Sequence, residues 1–568
     1  MVVAFQKRSL LTSRLLLSAD VLAVIAMVMI FSINIWLITE TTPRIWVNLI
    51  ADDGYYYLGI VRNLVEHRVS SFLPPYETNG YQPLWTVLLS VTASLFGTEK
   101  ERLMLECYGL SVVFIVIFVV LSKIKYGSAF PAIVVSIWYQ GVTLLGMETV
   151  AIPATSILFF TSKTWVGRGV FGSILFLERL DALSLVVARD IYFLVTRREI
   201  DPRPYLIIVP VIAVYCALNV QLFGTPLPVS GLIKSLHSVI LENWSVSIQY
   251  ISQSMRAVFI LAIFLLISVI APVPFRKLKF VSEIIVCAIA TALCALYYGV
   301  NSGWPLWAWY FWGPLLLAYY VLLESVEVSI GYIELGRPLT AGLVNGAILL
   351  IIGLTGGLTY VSSTVRLVNQ ARNLLPIPQS YKQANLDLAD WVKQSKIPPG
   401  TMLAMGDRAG SFGFFLGDDY SFLHTEGLVG PLAYYSAMKN DQAIEFINQA
   451  NIKYWIADRE AFLEAGDILG VVEPVQGLSM HRGPYMICFN KSAIVRDMSY
   501  IIGDALANEG HEHRLVFDME GRVACPAGLQ EQFVQLRDRY SGLRDMSLPQ
   551  ESELKGRFNP TIKRWLHF

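Results

Sequence analysis

The chain is poor in charged residues, and it has few histidines and cysteines for its length. Of its 568 residues, 15% are charged and 54% are hydrophobic, and the formal net charge is zero. A soluble globular protein carries about 25% charged residues. The neutral balance gives no reason to expect a nucleic-acid partner. The sequence also contains no cysteine–histidine metal cluster, no Ser-His-Asp order and no Walker sequence, so these signatures support no familiar soluble site.

Long apolar runs occupy the chain up to about residue 361. The first, at 16–38, has roughly the 20 residues that span a bilayer. Basic residues precede it, which predicts a cytoplasmic N-terminus and an external loop at 40–82. Counting hydropathy alone predicts about ten or eleven spans. The further runs are 83–97, 106–122, 128–146, 149–162, 170–196, 205–223, 256–273, 280–300, 305–324 and 339–361.

Basic residues between the runs agree with most of this topology. Those at 197–203 and 276–279 fall where cytoplasmic loops are expected. Lys123 and Lys125 also look cytoplasmic, but simple counting of spans places them outside. We therefore expect one run within 83–196 to be re-entrant, broken or double.

After the last run, the composition becomes that of ordinary soluble sequence. Residues 362–380 read as a linker, which follows a transmembrane domain at 1–361. Short apolar strands then alternate with helical patterns, which predicts an α/β domain at 381–568 on the outer face. Cys488 and Cys525 lie in this domain and could pair, although their spacing does not require it.

The first external loop holds the most informative motif, Asp52-Asp53-Gly-Tyr-Tyr-Tyr. Paired carboxylates beside a membrane are costly unless they are solvated, paired or used. A carboxylate can act as a general base toward an acceptor hydroxyl, and partial burial would raise its pKa toward that task. The alternative is that Asp52 caps the helix predicted to follow it.

This motif, with Arg62-Asn63 and Thr78-Asn79-Gly80-x-x-Pro-Leu-Trp85, resembles the signature of GT-C-type glycosyltransferases. These are polytopic membrane enzymes that take sugars from polyprenyl-phosphate donors. The resemblance favours Asp52 as the base, with Asp53 as a positioning or metal-proximal neighbour. It leaves open which of the two aspartates acts as the base. Gln82 departs from the family, because close relatives often have a histidine there.

The resemblance also implies roles for residues farther along the chain. Glu148 would be a second active-site carboxylate, and Arg179 and Lys234 would bind the donor phosphate. For Arg179, the alternative is a structural ion pair with Asp181 or Glu178. Lys234 could simply be solvated, and the aromatic residues near 304–312 could be an interfacial belt. The predicted substrate-binding residues are Tyr56, Asn79, Gln82, Asp181, Trp309 and Tyr310.

The sequence thus predicts a multi-pass plasma-membrane glycosyltransferase with a C-terminal extracytoplasmic domain. Its donor would be a polyprenyl-phosphate-linked sugar, and its acceptor a hydroxyl of an envelope glycan, lipid or protein. No cofactor is certain, and dependence on a divalent cation stays open, as do the sugar and the stereochemistry. The alternatives are a transporter or flippase of lipid-linked glycans and a non-catalytic scaffold. The absence of internal repeats disfavours the transporter.

Overall fold

The computed structural model describes residues 10–141, 145–236, 279–302, 308–334, 365, 368–372, 380–458, 462–473, 485–502 and 510–532. Its N-terminal part is helical. The helices there are α1 (Leu10–Glu40), α2 (Pro43–Trp46), α3 (Asp52–Glu66), α4 (Pro83–Phe96), α5 (Lys100–Tyr126), α6 (Phe130–Gly141), α7 (Ile152–Thr161), α8 (Trp165–Glu178), α9 (Leu183–Arg197), α10 (Tyr205–Phe223), α11 (Val229–Lys234), α12 (Val281–Asn301) and α13 (Trp312–Glu334).

Several of these helices are apolar enough to lie in a bilayer. Lys100–Tyr126, Tyr205–Phe223 and Val281–Asn301 are each long enough to cross it. The chain is a polytopic helical membrane protein with a C-terminal strand-containing domain, as the sequence predicts. Two of the predicted spans, 256–273 and 339–361, lie outside the described residues.

Both ends of the run at 83–97 lie on the same side of the protein. Helix α4 is 14 residues long, which gives about 21 Å, less than the roughly 30 Å hydrocarbon core. Its start adjoins the cavity described below, and just past its end Lys100 Nζ donates to the carbonyl of Phe415 in the C-terminal domain at 2.7 Å. Lys123, whose side of the membrane was in conflict with the span count, pairs with Asp20 of α1 at 2.6 Å.

The run at 170–196 is broken into two helices, as one of the alternatives for 83–196 predicts. Helix α8 ends at Glu178, and Arg179 has an extended backbone with φ −160° and ψ 125°. A 3₁₀ turn at Leu180–Ala182 follows before α9 begins. The break lets Arg179 turn toward polar partners that a continuous apolar helix could not offer.

The C-terminal domain contains two sheets and four helices within the described residues. The helices are α14 (Tyr381–Gln394), α15 (Gly410–Leu416), α16 (Leu432–Lys439) and α17 (Ala443–Gln449). The strands are β1 (Met402–Met405), β2 (Ser421–His424), β3 (Tyr454–Asp458), β4 (Phe462–Ala465), β5 (Ile468–Glu473), β6 (Tyr485–Asn490), β7 (Ile494–Ile502), β8 (Gly510–Asp518) and β9 (Arg522–Val523).

The larger sheet has the strand order β2-β1-β3-β8-β7, and the smaller has β4-β5-β6-β9. Strands β1, β2 and β3 are parallel, with Met405 opposite both His424 and Ile456. Their carboxyl ends therefore share one edge, where ligands of α/β sheets commonly bind. The segments that follow β1 and β2 meet the membrane domain at this edge. A disulfide joins Cys488 to Cys525, with their Cα atoms 5.1 Å apart.

Aromatic side chains join the two parts into one core. Phe415 of α15 packs on Trp46 with ring centroids 5.5 Å apart, and Phe414 packs on Tyr55 at 5.4 Å. Trp46 and Tyr55 are fully buried. Burying apolar surface contributes about 25 cal/mol per Å², so these contacts hold the C-terminal domain against the first external loop.

Candidate active site

A cavity lies where the first external loop, the breaks in the membrane helices and the C-terminal domain meet. Its volume is about 70 Å³. The residues that line it are Asp53, Tyr56, Tyr57, Ile60, Gly80, Tyr81, Gln82, Met147, Glu148, Arg179, Ser230, Lys234, Trp309, Tyr310, Leu428 and Val429. Eight of the eleven site residues predicted from the sequence line this cavity. The other three, Asp52, Asn79 and Asp181, contact residues next to it.

Asp53 presents its carboxylate to the cavity from the first turn of α3. Burial raises the pKa of Asp53 to about 7. The positive charge of Lys234 acts in the opposite direction, and the negative charges of Asp52, Asp407 and Glu148 add to the rise. The carboxyl group can therefore take up and release a proton near neutral pH, which is the property of a general base.

The neighbouring Asp52 faces away from the cavity, into the C-terminal domain. Its carboxylate accepts hydrogen bonds from the backbone N–H of Gly410 at 2.8 Å and of Ser411 at 3.0 Å. The Ser411 hydroxyl donates a third at 2.6 Å. Asp52 does not cap its own helix, where Ala51 is the N-cap. Instead it satisfies N–H groups at the start of α15, which have no partner within that helix.

Arg179 is the centre of a buried charge network on the membrane side of the cavity. Its Nη1 lies 2.6 Å from Glu148 Oε1, and its Nε lies 2.8 Å from Asp181 Oδ1. The guanidinium also lies 4.5 Å from the ring centre of Tyr310. The predicted ion pair forms with Asp181. Glu148 is a second partner that the sequence did not predict, while Glu178 accepts a hydrogen bond from Thr155. The network fixes Glu148 in place beside the cavity.

Lys234 supplies a positive charge on the wall that faces Asp53. It ends the short helix α11, where its Nζ donates to the hydroxyl of Tyr310 and lies 5.1 Å from the ring centre. Lys234 is coupled electrostatically to Asp53 across the cavity. A cation and a titratable carboxylate therefore share one small, largely buried space, in which charge interactions are stronger than in water.

Asn79 holds the loop that carries Lys234. Its Oδ1 accepts from the backbone N–H of Val229 at 2.9 Å, and its Nδ2 donates to the carbonyl of Leu227 at 3.1 Å. It also donates to Asn219 at 2.9 Å. These contacts occupy the amide, so the structure gives Asn79 a part in positioning the loop. Its predicted contact with substrate stays a prediction.

Gln82 is one of the residues that line the cavity. Its backbone N–H donates to the hydroxyl of Tyr57 at 3.2 Å, and that hydroxyl donates to Glu148 Oε2 at 2.9 Å. The side-chain Oε1 of Gln82 is buried and has no hydrogen-bond partner among the described residues. A buried acceptor without a partner is costly, so a substrate hydroxyl placed here would be bound favourably.

The C-terminal domain also contributes residues to the cavity wall. Leu428 and Val429 line it, and His424 Nε2 lies 2.9 Å from the hydroxyl of Tyr56. Burial lowers the pKa of His424 to about 3, so the imidazole stays neutral. The tight turn at Gly427, with φ +85°, is the one local signal that precedes these residues.

The described residues contain one group of three side chains that could hold a metal ion: Glu66, His67 and Asp418, on the surface beyond the end of α3. This group does not line the cavity. In the cavity, both oxygens of Glu148 are engaged by Arg179 and Tyr57. The possible use of a divalent cation therefore stays a prediction.

Comparison with known proteins gives similarity at the level of architecture. No family model matches the chain, and no curated protein matches it. Among solved structures, it is similar to ArnT from Cupriavidus metallidurans, crystallised with undecaprenyl phosphate. That match has a TM-score of 0.47 and 11% sequence identity, and it covers 77% of this chain and 92% of ArnT.

A second similar structure is the oligosaccharyltransferase of Archaeoglobus fulgidus, in complex with zinc and sulfate. The TM-score is 0.38 and the identity 13%, over 76% of this chain and 68% of the archaeal protein. At such identities and TM-scores, the function of this chain has to be inferred from its own residues.

Proposed function

We propose that the protein is a glycosyltransferase that moves a sugar from a polyprenyl-phosphate donor to a hydroxyl acceptor on the outer face of the membrane. The observation that carries the proposal is the shared cavity of Asp53 and Lys234. A base with a pKa of about 7 faces a cation suited to an anionic leaving group. The sequence resemblance to GT-C enzymes points to the same reaction.

In this proposal, Asp53 is the general base. As the acceptor oxygen forms its bond to the anomeric carbon of the sugar, Asp53 takes the proton of the acceptor hydroxyl. The bond from that carbon to the phosphate oxygen breaks, and polyprenyl phosphate leaves with the electron pair. Asp52, which the sequence resemblance favours as base, is the weaker candidate because three donors already engage its carboxylate.

Lys234 stabilises the negative charge of the leaving phosphate, since it faces the cavity as a compact point charge. Arg179 is paired with both Glu148 and Asp181, so its charge is already offset and Lys234 is the main cation for the phosphate. The free Oε1 of Gln82 accepts a hydrogen bond from a sugar hydroxyl. The rings of Trp309 and Tyr310 provide apolar faces against which the sugar packs.

A donor sugar needs more room than the 70 Å³ of this cavity, because small-molecule sites usually measure about 300–1,000 Å³. We expect the cavity to widen when the donor binds. The alternative of a transporter fits the site less well. Transporters bind substrate near the bilayer midplane, whereas an external-loop helix and the C-terminal domain wall this cavity.

The test is transfer by the purified full-length protein in liposomes, offered a panel of polyprenyl-phosphate sugars and envelope acceptors. Asp53→Asn should lower kcat by about 10²- to 10⁴-fold, the range for loss of a general base. The matched control is Asp419→Asn, which changes an exposed aspartate and should leave the rate unchanged. Full activity of Asp53→Asn would refute Asp53 as the base. Movement of lipid-linked glycans across liposomes without any transfer would favour the transporter.

A further inference from the structure

We propose that Asp52 is a positioning residue that fastens the C-terminal domain to the first external loop and thereby completes the wall of the active site. The inference rests on the proposed function only in calling the enclosed cavity an active site. The docking contact itself does not depend on that function. It assigns the two adjacent aspartates to different tasks, with Asp53 in the chemistry and Asp52 in the docking of the domain.

The carboxylate of Asp52 is buried and accepts three short hydrogen bonds. Asp52 is 7% exposed, and two backbone N–H groups and one hydroxyl of α15 donate to it within 3.0 Å. A carboxylate can accept all three at once, because it has two oxygens and about four lone-pair positions. Asparagine has a single acceptor oxygen, and its NH₂ group would face donors. The site is therefore built for a carboxylate.

Glycines on both sides allow the backbones to touch at this interface. A Cβ atom on Gly410 would lie 2.2 Å from the carbonyl oxygen of Asp52. A Cβ on Gly80 would lie 1.9 Å from the carbonyl oxygen of Leu428, which lines the cavity. Real Cβ atoms do not come so close to backbone, so each position admits only glycine without a shift of the domain. The domain therefore has one close docking position.

Other polar contacts surround this docking point. Arg62 Nη2 lies 2.5 Å from Asp418 Oδ1, Lys382 Nζ donates to the carbonyl of Ile50 at 2.5 Å, and Tyr56 meets His424. Among these links, those made by Tyr56 and Asp52 start from the beginning of α3, which also carries Asp53. A loosened Asp52 contact should therefore disturb the cavity before it releases the whole domain.

Asp52 also affects the proton affinity of Asp53 through its negative charge. The charged groups that interact with Asp53 are Asp52 on the same helix, Lys234 on α11, Glu148 at the turn before α7, and Asp407 after β1. Lys382 on α14 also interacts with both aspartates. Asp52 is one of the contributions that raise the pKa of Asp53. Its replacement by asparagine should therefore lower that pKa, and the replacement of Ser411, which carries no charge, should not.

The test compares Asp52→Asn and Ser411→Ala in the full-length protein, with Asp419→Asn as the matched control. The first readout is hydrogen exchange of the peptide that contains Gly410 and Ser411. It should become at least about tenfold faster in Asp52→Asn and less so in Ser411→Ala. Exchange requires no substrate, so it decides the docking claim even if no transfer activity is found. Unchanged exchange in both variants would overturn the proposal.

The second readout is the kinetic profile. Asp52→Asn should raise KM for the acceptor by about tenfold with kcat within about threefold, because the wall is loosened while the base remains. The acid limb of the pH dependence of kcat/KM should move to lower pH in Asp52→Asn, whereas it should stay in place in Ser411→Ala. A loss of kcat of more than about 100-fold with exchange unchanged would place Asp52 in the chemistry and contradict the proposal. Should Asp52→Asn fail to fold, Ser411→Ala still decides by its exchange and its KM.

Discussion

Asp52 and Asp53 are neighbours in sequence, yet they lie in two different regions of the molecule. Asp52 lies in a buried interface, where three donors of α15 hold its carboxylate. Asp53 faces a cavity with Lys234 across from it, and burial raises its pKa to about 7. Successive residues of a helix point about 100° apart, so one turn serves both regions. The role of each carboxylate follows from what surrounds it.

The largest effect outside the aspartates is expected at Arg179, on the Asp53 side. Arg179→Lys keeps the charge but cannot reach Glu148 and Asp181 at the same time, because lysine has a single compact head group. The buried carboxylates would lose a partner, which is strongly destabilising. We expect kcat/KM to fall by about 100-fold, measured in the liposome transfer assay. If Arg179→Lys sped hydrogen exchange near Gly410 by as large a factor as it lowered kcat/KM, the two regions would not be separate.

A smaller effect is expected at Lys234, which faces both the leaving phosphate and Asp53. Lys234→Met should raise KM for the donor by about tenfold, because the point charge that attracts the phosphate is lost. Lys234 lowers the pKa of Asp53, so its loss should move the acid limb of the pH profile to higher pH. Steady-state kinetics from pH 5 to 9 measures both effects. An unchanged limb would show that Lys234 and Asp53 do not interact.

The smallest effect is on stability, and it should have opposite signs for the two aspartates. The folded-state pKa of Asp53, about 7, is above its ordinary value of 3.8. The folded state thus binds the proton more tightly, and stability falls as pH rises from about 4 to about 7. Asp53→Asn removes this cost, so at pH 8 it should raise Tm by about 2–4 °C. Asp52→Asn should lower Tm at the same pH, because it leaves buried donors without an acceptor. Thermal unfolding at pH 4 and pH 8 checks both signs.

The sequence predicted the parts of this comparison that depend on local patterns. Periodicity placed the strands around Met405 and Ile456, and the tension between Lys123 and hydropathy pointed to an irregular run. The same hydropathy could not show that α4 begins and ends on one side, since an apolar helix in an interface and one in a bilayer have similar compositions. Nor could it show which aspartate faces the cavity, because that depends on the position of Gly410, more than 350 residues away.

Local patterns also did not identify which residues of the C-terminal domain line the cavity. Leu428 and Val429 are ordinary apolar residues, and only the close approach of Gly80 to the Leu428 carbonyl brings them to the site. Arg179 was foreseen as a buried ionic residue, but its partner Glu148 lies 31 residues away. Tertiary packing decided these pairings, and a single sequence carries no record of it.

The most direct measurement of the central claim is the pH dependence of kcat/KM for sugar transfer by the unaltered protein. A base must be deprotonated to act, so activity should rise with pH and reach half of its maximum at about pH 7, the pKa of Asp53. The limb should move to lower pH in Asp52→Asn. An active protein whose kcat/KM stays constant from pH 8 down to pH 5 would contradict Asp53 as the base.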